Sequence, residues 1–447
     1  MAAASSVPIS SPRNNEPASA WSLQVVLCWI LVALITFING ADFRGTTGAE
    51  NFEVHWQIYL RLLLSVGSGV IAALLIFPYS YRDFLTWPGF GVTLLLAWYG
   101  LCIPFGIEKV YCAASWVCLT SVLVFIPTAM RILGAWGTMS ATGAGLLMFL
   151  LGSWIAYFYF PEVGVFKEQI SNTYALERMG GLGHPNELGF YCAFTILLFI
   201  VIGITGRLPW IVVAPVLMLA GLALLKCYSR TAMIVTLIGL VFTLQNQWRS
   251  NIMVPIVCLF IGLTIAFAVL SSGKVDWMLE SVLSGVSKSG SSDELSSATG
   301  RDAIWKYGIE QIKASPVFGY GYGAARFVMY NHSFHCHNVV LNAMMAGGIL
   351  AGVLLAVQLL YAFWGMLFQP RFEVDGLAVC FLIGGAVEGL LSATTPAAHF
   401  VIWSIVLFWR PFGFSLARES KQVTVEGAVA EPESEPAALN GTVVAMQ

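Results

Sequence analysis

Asn338-Val-Val-Leu-Asn-Ala-Met-Met-Ala-Gly-Gly-Ile-Leu-Ala-Gly-Val-Leu-Leu-Ala-Val-Gln-Leu-Leu-Tyr-Ala-Phe-Trp-Gly-Met-Leu367 runs without a charged side chain. About 20 such residues suffice to carry a helix across the hydrocarbon core of a bilayer, so this stretch reads as a membrane span. Windows of about 19 apolar residues place further spans at 22–38, 57–77, 89–106, 110–130, 138–160, 187–205, 209–226, 229–247, 252–271, 374–392 and 397–413. The chain of 447 residues is 58% hydrophobic and only 10% charged. Soluble domains are nearer 25% charged, so the expected fold class is all-α, a polytopic membrane bundle of about twelve helices.

The spans divide the chain into a tail over 1–21, helices one to nine over 22–271, a large loop over 272–337, helices ten to twelve over 338–413, and a second tail over 414–447. Met1 to Ala20 lacks the pattern of a cleaved secretory signal, so the first span is expected to be retained. The short loops on one face carry Arg82, Arg131, Arg207, Arg249 and Arg371, and the end of the last span adds Arg410, Arg418 and Lys421. The opposite loops hold Asp42, Glu50, Glu53, Glu108, Glu162, Glu168 and Glu177. The positive-inside rule then predicts cytoplasmic termini and an outward-facing large loop, which in a bacterium places that loop in the periplasm. The tail from Val423 onward, with four Glu and two Pro, is predicted to be disordered.

A net charge of −2 and the absence of a basic run speak against nucleic acid as a partner; membrane lipids are the expected surroundings. Most of the nine cysteines fall within apolar windows, and no CxxC pair or His/Cys metal spacing occurs. Neither a disulfide framework nor a metal site is expected, and Cys336, between two histidines, reads as a free thiol. The large Trp residues near span ends (Trp21, Trp56, Trp87, Trp210, Trp248, Trp409) read as interfacial belts.

The polar interval Ser271–His337 concentrates the chemistry. It is Ser/Gly-rich up to Gly300. Thr299 and Asp302 then stand in the spacing that caps a helix start. Ile304, Trp305, Gly308, Ile309 and Ile312 follow as one apolar stripe, with Lys306, Glu310 and Lys313 elsewhere. Ser315-Pro316 ends the helix. The result is an amphipathic helix of about four turns on the bilayer surface or over the bundle mouth. Gly319, Gly321 and Gly323 let the chain turn back toward the membrane.

His337-Asn338 closes this loop. A neutral imidazole there can take a proton from a hydroxyl, and the neighbouring Asn can orient a sugar or phosphate. An interfacial histidine bonded to a carbonyl is the plainer reading, and His335 and His332 compete with His337 for the role. Arg178, Arg230 and Arg301 lie on the same expected face. Each needs a partner, either a carboxylate such as Glu177, Glu187 or Asp302, or the phosphates of a substrate. Glu388 is an acid within a late span, a position that marks function or pairing. It could orient an arginine or His337, or be protonated. With no outward Asp-x-Asp pair to hold a divalent ion, arginines would have to neutralise a diphosphate leaving group.

Arg178 with Gly181, Pro185 and Asn186, Ser229-Arg230, Arg301 with Trp305, Pro316, Gly319 and Gly321, and His337-Asn338 with Gly348 and Gly352 together resemble the O-antigen ligase and polymerase superfamily over about 175–395. That resemblance implies a GT-C-like, metal-independent, inverting membrane glycosyltransferase without a cofactor. Its donor would be a glycan on undecaprenyl diphosphate, its acceptor a hydroxyl of lipid A core or of a glycan chain, and its site the periplasmic side of the bacterial inner membrane. It makes His337 the base, Arg230 and Arg301 diphosphate ligands, and Arg178 a support for that binding or for the glycan. Asn338 and Trp305 join the substrate set, with His335, Glu388 and Asn186 as supports. The resemblance does not separate a ligase from a polymerase; His337-Asn338 favours the ligase. A lipid-glycan transporter is the rival from another class, weakened by the lack of an internal repeat.

Overall fold

The computed structural model describes residues 22–41, 56–79, 81–169, 175–247, 301–330, 332–333, 335–388, 391 and 398–416. The expected span 252–271, the loop up to Gly300 with its Thr299 cap, Arg249, Trp21, Trp248, the first 21 residues and the tail from residue 417 onward lie outside the described residues. Met1–Phe414 forms one compact unit, and the helices below all belong to it.

In chain order the helices are α1 (Leu23–Ile38), α2 (Trp56–Tyr79), α3 (Tyr81–Leu85), α4 (Gly89–Cys102), α5 (Lys109–Tyr159), α6 (Pro161–Gly164), α7 (Pro185–Ile204), α8 (Trp210–Lys226), α9 (Arg230–Gln247), α10 (Arg301–Ala314), α11 (Ala325–Val328), α12 (Val339–Phe368), α13 (Asp375–Glu388) and α14 (Ala398–Phe408). Each expected span other than 252–271 falls on one of them. By length and composition, Trp56–Leu74, Lys109–Tyr159, Pro185–Ile204 and Val339–Phe368 are long and apolar enough to cross a membrane, and five shorter helices are apolar. The described residues are therefore all-α apart from one hairpin, β1 (Val165–Gln169) against β2 (Ala175–Met179). That hairpin departs from the sequence reading, which gave this stretch no regular structure.

The long α5 is two helices joined where Gly134 leaves the helical region (φ 67°), which matches the two windows read there. Around it pack α1, α2 and α14, while α7 sits among α8, α9 and α13, and α12 among α4, α10 and α13. Phe194 stacks on Phe381 with ring centroids 5.5 Å apart between α7 and α13. Trp409 is fully buried and meets Phe414 edge-on, so it is a core residue and not the belt residue expected. Its apolar neighbours enclose it after α14 has ended.

Charged side chains mark one end of the bundle. Arg131 forks onto Asp83, with its Nε 2.9 Å and Nη2 2.6 Å from the two carboxylate oxygens. It also lies 3.8 Å from the Phe412 ring centre. Arg207 stands 5.7 Å from the Trp136 ring, and Arg410 bonds both the Asp375 carboxylate and, at 2.9 Å, the Gln369 carbonyl. Arg131, Arg207 and Arg410, all read as basic-side residues, thus gather at a single end. The opposite end collects the hairpin, the starts of α7, α9 and α12, the end of α13, and α10.

Two differences from the sequence reading shape that second end. First, α12 is not one uninterrupted span: Gly347 and Gly348 leave helical geometry, and Gly348 has a φ of 69°. A break strands backbone groups that a bilayer interior cannot satisfy. Here the Pro316–Gly321 turn satisfies them. Tyr320 N donates to Met345 O at 2.8 Å, Gly321 N to Ala346 O at 3.0 Å, and Ile349 N to Pro316 O at 2.8 Å. Trp98 Nε1 takes the Gly347 carbonyl at 2.6 Å. A Cβ on residue 348 would collide with the Val317 carbonyl oxygen, so the position requires glycine twice over.

Second, α10 lies over the bundle end, with its side chains in a small core of its own. Ile312 is buried with Ala325, Met329, Cys336 and Met345, and Ile304 and Tyr307 pack against that cluster. Ile309, read into the stripe, is exposed, because it sits at the edge of the arc that Ile304, Gly308 and Ile312 define.

Candidate active site

The hairpin register explains how Arg178 comes to be aimed inward. Phe166 pairs with Arg178 and Lys167 with Glu177, so alternate residues face opposite sides. Lys167 and Glu177 meet on the solvent side at 3.4 Å. Glu168, two residues from Phe166, is on the same face as Arg178 and accepts from its Nη1 at 2.7 Å. Arg178 Nε donates to the Cys227 carbonyl at 2.9 Å and Nη2 to Asn186 Oδ1 at 2.7 Å. With its side chain only 2% exposed, Arg178 is wholly committed to the protein.

Asn186 hands this order on. His184 caps α7, its Nδ1 accepting from Asn186 N at 3.3 Å, and Pro185 takes the first helical position, where a missing N–H costs nothing. Asn186 Nδ2 then donates to Glu388 Oε2 at 3.2 Å. Glu388 is the hub of the site. Its Oε1 also accepts from Thr231 Oγ1 at 3.1 Å and from Arg301 Nη2 at 2.6 Å. The Glu388 side chain is 7% exposed and that of Arg301 13%.

His337 stands beside this hub without joining it. Its Nδ1 is 3.9 Å from Glu388 Oε2, too far for a hydrogen bond, and that buried nitrogen has no hydrogen-bond partner among the described residues. Its backbone occupies the left-handed region (φ 49°), a conformation that costs a β-carbon residue on the order of 1–3 kcal/mol. The flanking residues hold it there. His337 N donates to His335 Nδ1 at 3.1 Å. Asn338 caps α12, its Oδ1 accepting from Val340 N and Leu341 N at 3.0 Å each, and its Nδ2 donates to Ala386 O at 3.0 Å. Trp305 Nε1 donates to Cys336 O at 2.9 Å, anchoring the same turn to α10.

Burial, then the Arg301 charge and then His184, lower the His337 pKa from 6.5 to about 4. His335 is pushed down to about 3, chiefly by burial and next by His337. Both rings are therefore neutral near pH 7, and the neutral His335 is free to accept through Nδ1.

The sequence-selected residues thus fall into three groups. Arg301, Glu388, Asn186 and His337 converge. Arg178, Trp305 and Asn338 adjoin that centre but spend their polar atoms on the protein. Arg230 heads α9, next in the chain to Thr231. Arg178 pairs with Glu168, a carboxylate that the sequence reading did not name as an arginine partner, and Arg301 with Glu388, which that reading held able to orient an arginine. Of the competing histidines, His332 packs on Tyr307 with ring centres 4.2 Å apart, away from the hub. Cys336 is buried against Met329, its Sγ 3.3 Å from that residue's Sδ. Thr231 and Glu168 were missed; a hydroxyl inside a helix and an acid in an outer loop carry no distinguishing local pattern.

Residues 215–356 match the family model described as O-antigen ligase. Over that stretch the chain is similar to the O-antigen ligase family. Arg230, Arg301, Trp305, His335, His337 and Asn338 lie inside the matched stretch, whereas Arg178, Asn186 and Glu388 flank it. The chain is also similar to the exopolysaccharide production protein ExoQ of Rhizobium meliloti (strain 1021). The two are 27% identical over 353 residues, covering 66% of this chain and 74% of the relative.

Proposed function

We propose that this protein is a membrane glycosyltransferase that moves a glycan from undecaprenyl diphosphate to a sugar hydroxyl at the bundle end carrying the Glu388 cluster. The observation that carries the reading is the convergence of Arg301, Glu388 and a neutral, unbonded His337 in an O-antigen ligase-like chain. The acceptor oxygen attacks the anomeric carbon as its proton passes to His337 Nε2. The carbon–oxygen bond to the diphosphate breaks, and its electron pair leaves with the phosphate oxygen. The buried Nδ1 faces Glu388, so Nε2 is the nitrogen left to an acceptor. Attack opposite the leaving group inverts the centre.

Arg301 supplies the charge that a diphosphate needs as it leaves, with Arg230 as a second ligand. A guanidinium fork fits phosphate geometry, and no metal is invoked in this role. Arg178 is a positioning residue, acting through Asn186 on Glu388. Asn338 and Trp305 fix the turn that aims His337. The basic end would face the cytoplasm by the positive-inside rule, placing the cluster on the periplasmic side of a bundle of about twelve spans in the bacterial inner membrane.

The acceptor has two readings. Similarity to an exopolysaccharide production protein favours a growing glycan chain, a polymerase reaction; the His337-Asn338 element alone favours lipid A core, a ligase reaction. A deletion strain separates them: loss of a polymerase leaves single repeats, and loss of a ligase leaves long lipid-linked polymer unattached. The activity itself is tested with purified protein and a synthetic glycan on a polyprenyl diphosphate. Transfer that survives EDTA is expected. No transfer from any lipid-diphosphate donor, or a strict metal requirement, would contradict the reading.

A further inference from the structure

Glu388 is bound to the wrong partner for catalysis. In a base assisted by a carboxylate, the acid accepts from Nδ1–H and leaves Nε2 bare. Here the carboxylate is near enough to do this after a shift of about 1 Å, judged against an ordinary hydrogen-bond length. Instead it is held by Arg301 at 2.6 Å, while His337 Nδ1 waits at 3.9 Å, buried and without a bonding partner among the described residues. A buried polar atom without a partner is costly to maintain and calls for an explanation.

We propose that Arg301 and Glu388 form a charge-exchange latch: an incoming diphosphate draws Arg301 off Glu388, and the released carboxylate accepts a hydrogen bond from His337 Nδ1–H, leaving Nε2 as an active base. The inference rests on the diphosphate-donor reading above and adds to it a reason why the base is idle until the donor is seated. A diphosphate outcompetes one carboxylate for a guanidinium because it presents more charge and several oxygens. Glu388 keeps Thr231 and Asn186 as donors when Arg301 leaves, so its carboxylate is not stranded.

The charges around His337 agree in direction. Arg301 on α10 opposes its protonation, as does His184 ahead of α7. His335, neutral in its own turn, is tied to the His337 amide. Behind Asn186, Arg178 is matched by Glu168. Arg230 heads α9 beside Thr231. Moving Arg301 onto phosphate, and adding the phosphate's negative charge, both favour a more basic His337. The latch therefore couples donor binding to base strength, which protects the site from activating water while it is empty.

The test uses the full-length protein in lipid nanodiscs with histidine nitrogens labelled; the sequence has six histidines, and His337→Gln assigns the signal. Inorganic pyrophosphate is the probe, and calorimetry reports whether it binds. Without it, His337 is expected to titrate near pH 4. With it, the midpoint should rise by about one unit or more, a tenfold change in proton affinity, and neutral His337 should carry its proton on Nδ1. Glu388→Gln should lose the Nδ1 preference and most of the rise. Arg301→Gln, which frees the carboxylate permanently, should show the Nδ1 form without pyrophosphate, and it keeps the test alive if Glu388→Gln does not fold. Bound pyrophosphate with an unmoved His337, or an equal response in Glu388→Gln, would overturn the latch while leaving the donor reading intact. Failure of pyrophosphate to bind at all would remove the donor reading and the latch together.

Discussion

The two ends of the bundle use the same residue types to opposite effect. At the basic end, Arg131 and Asp83 satisfy each other through two parallel bonds, with the Arg131 side chain 42% exposed. At the other end Glu388 serves Arg301, Thr231 and Asn186 at once, and an imidazole beside it goes unserved. A closed, solvent-screened pair holds structure and little else, since such pairs contribute roughly 0–1 kcal/mol. An oversubscribed buried carboxylate beside an unbonded histidine can change partners. The contrast separates an ion pair that staples loops from one that can take part in chemistry.

The sharpest way to break this contrast is to remove the charges that meet at the hub. Arg301→Ala should reduce glycan transfer by about a hundredfold or more, as loss of electrostatic stabilisation does elsewhere, with normal amounts of protein in the membrane. Glu388→Gln should lower kcat by about a hundredfold, the low end of what base catalysis contributes, with little change in KM. Asp83→Asn, its counterpart at the basic end, should leave turnover unchanged and shift thermal stability only slightly. Equal effects of these two carboxylate changes on kcat would erase the distinction.

Much of the second end was legible in the sequence because polar residues are scarce in this chain, so each one stands out. Arg178, Asn186, Arg301, His337 and Glu388 were all visible by type and order. Their pairing was not, because it is made across the fold: Asn186 and Glu388 are separated by 202 residues, and Arg301 and Glu388 by 87. Thr231 looks like any hydroxyl in an apolar helix. The Gly347-Gly348 pair was equally visible, but glycine is frequent in membrane helices, and only the docked Pro316–Gly321 turn shows that the helix breaks there. The hairpin stayed hidden because its strands are short and its alternation is weak.

The pH dependence sharpens the comparison further. A histidine whose folded pKa is depressed, as for His337 at about 4 against 6.5, binds fewer protons folded than unfolded between those values. Its contribution to stability is therefore complete above about pH 6.5 and is lost as pH falls toward 4. His337→Gln should flatten that acid limb in a thermal melt, and Asp83→Asn should not. At Gly348 the expected effect is on stability more than on turnover. Alanine there meets the Val317 carbonyl and a left-handed backbone, which should lower stability by about 1–3 kcal/mol. Turnover per folded molecule should fall less than in the hub variants.

One measurement bears most directly on the central claim: single-turnover transfer by His337→Gln protein reconstituted beside wild type, with donor binding checked separately. The account expects donor binding within about twofold of wild type and transfer slowed by about 100–10,000-fold, the range for a lost general base. Transfer at the wild-type rate by the His337→Gln protein would contradict it.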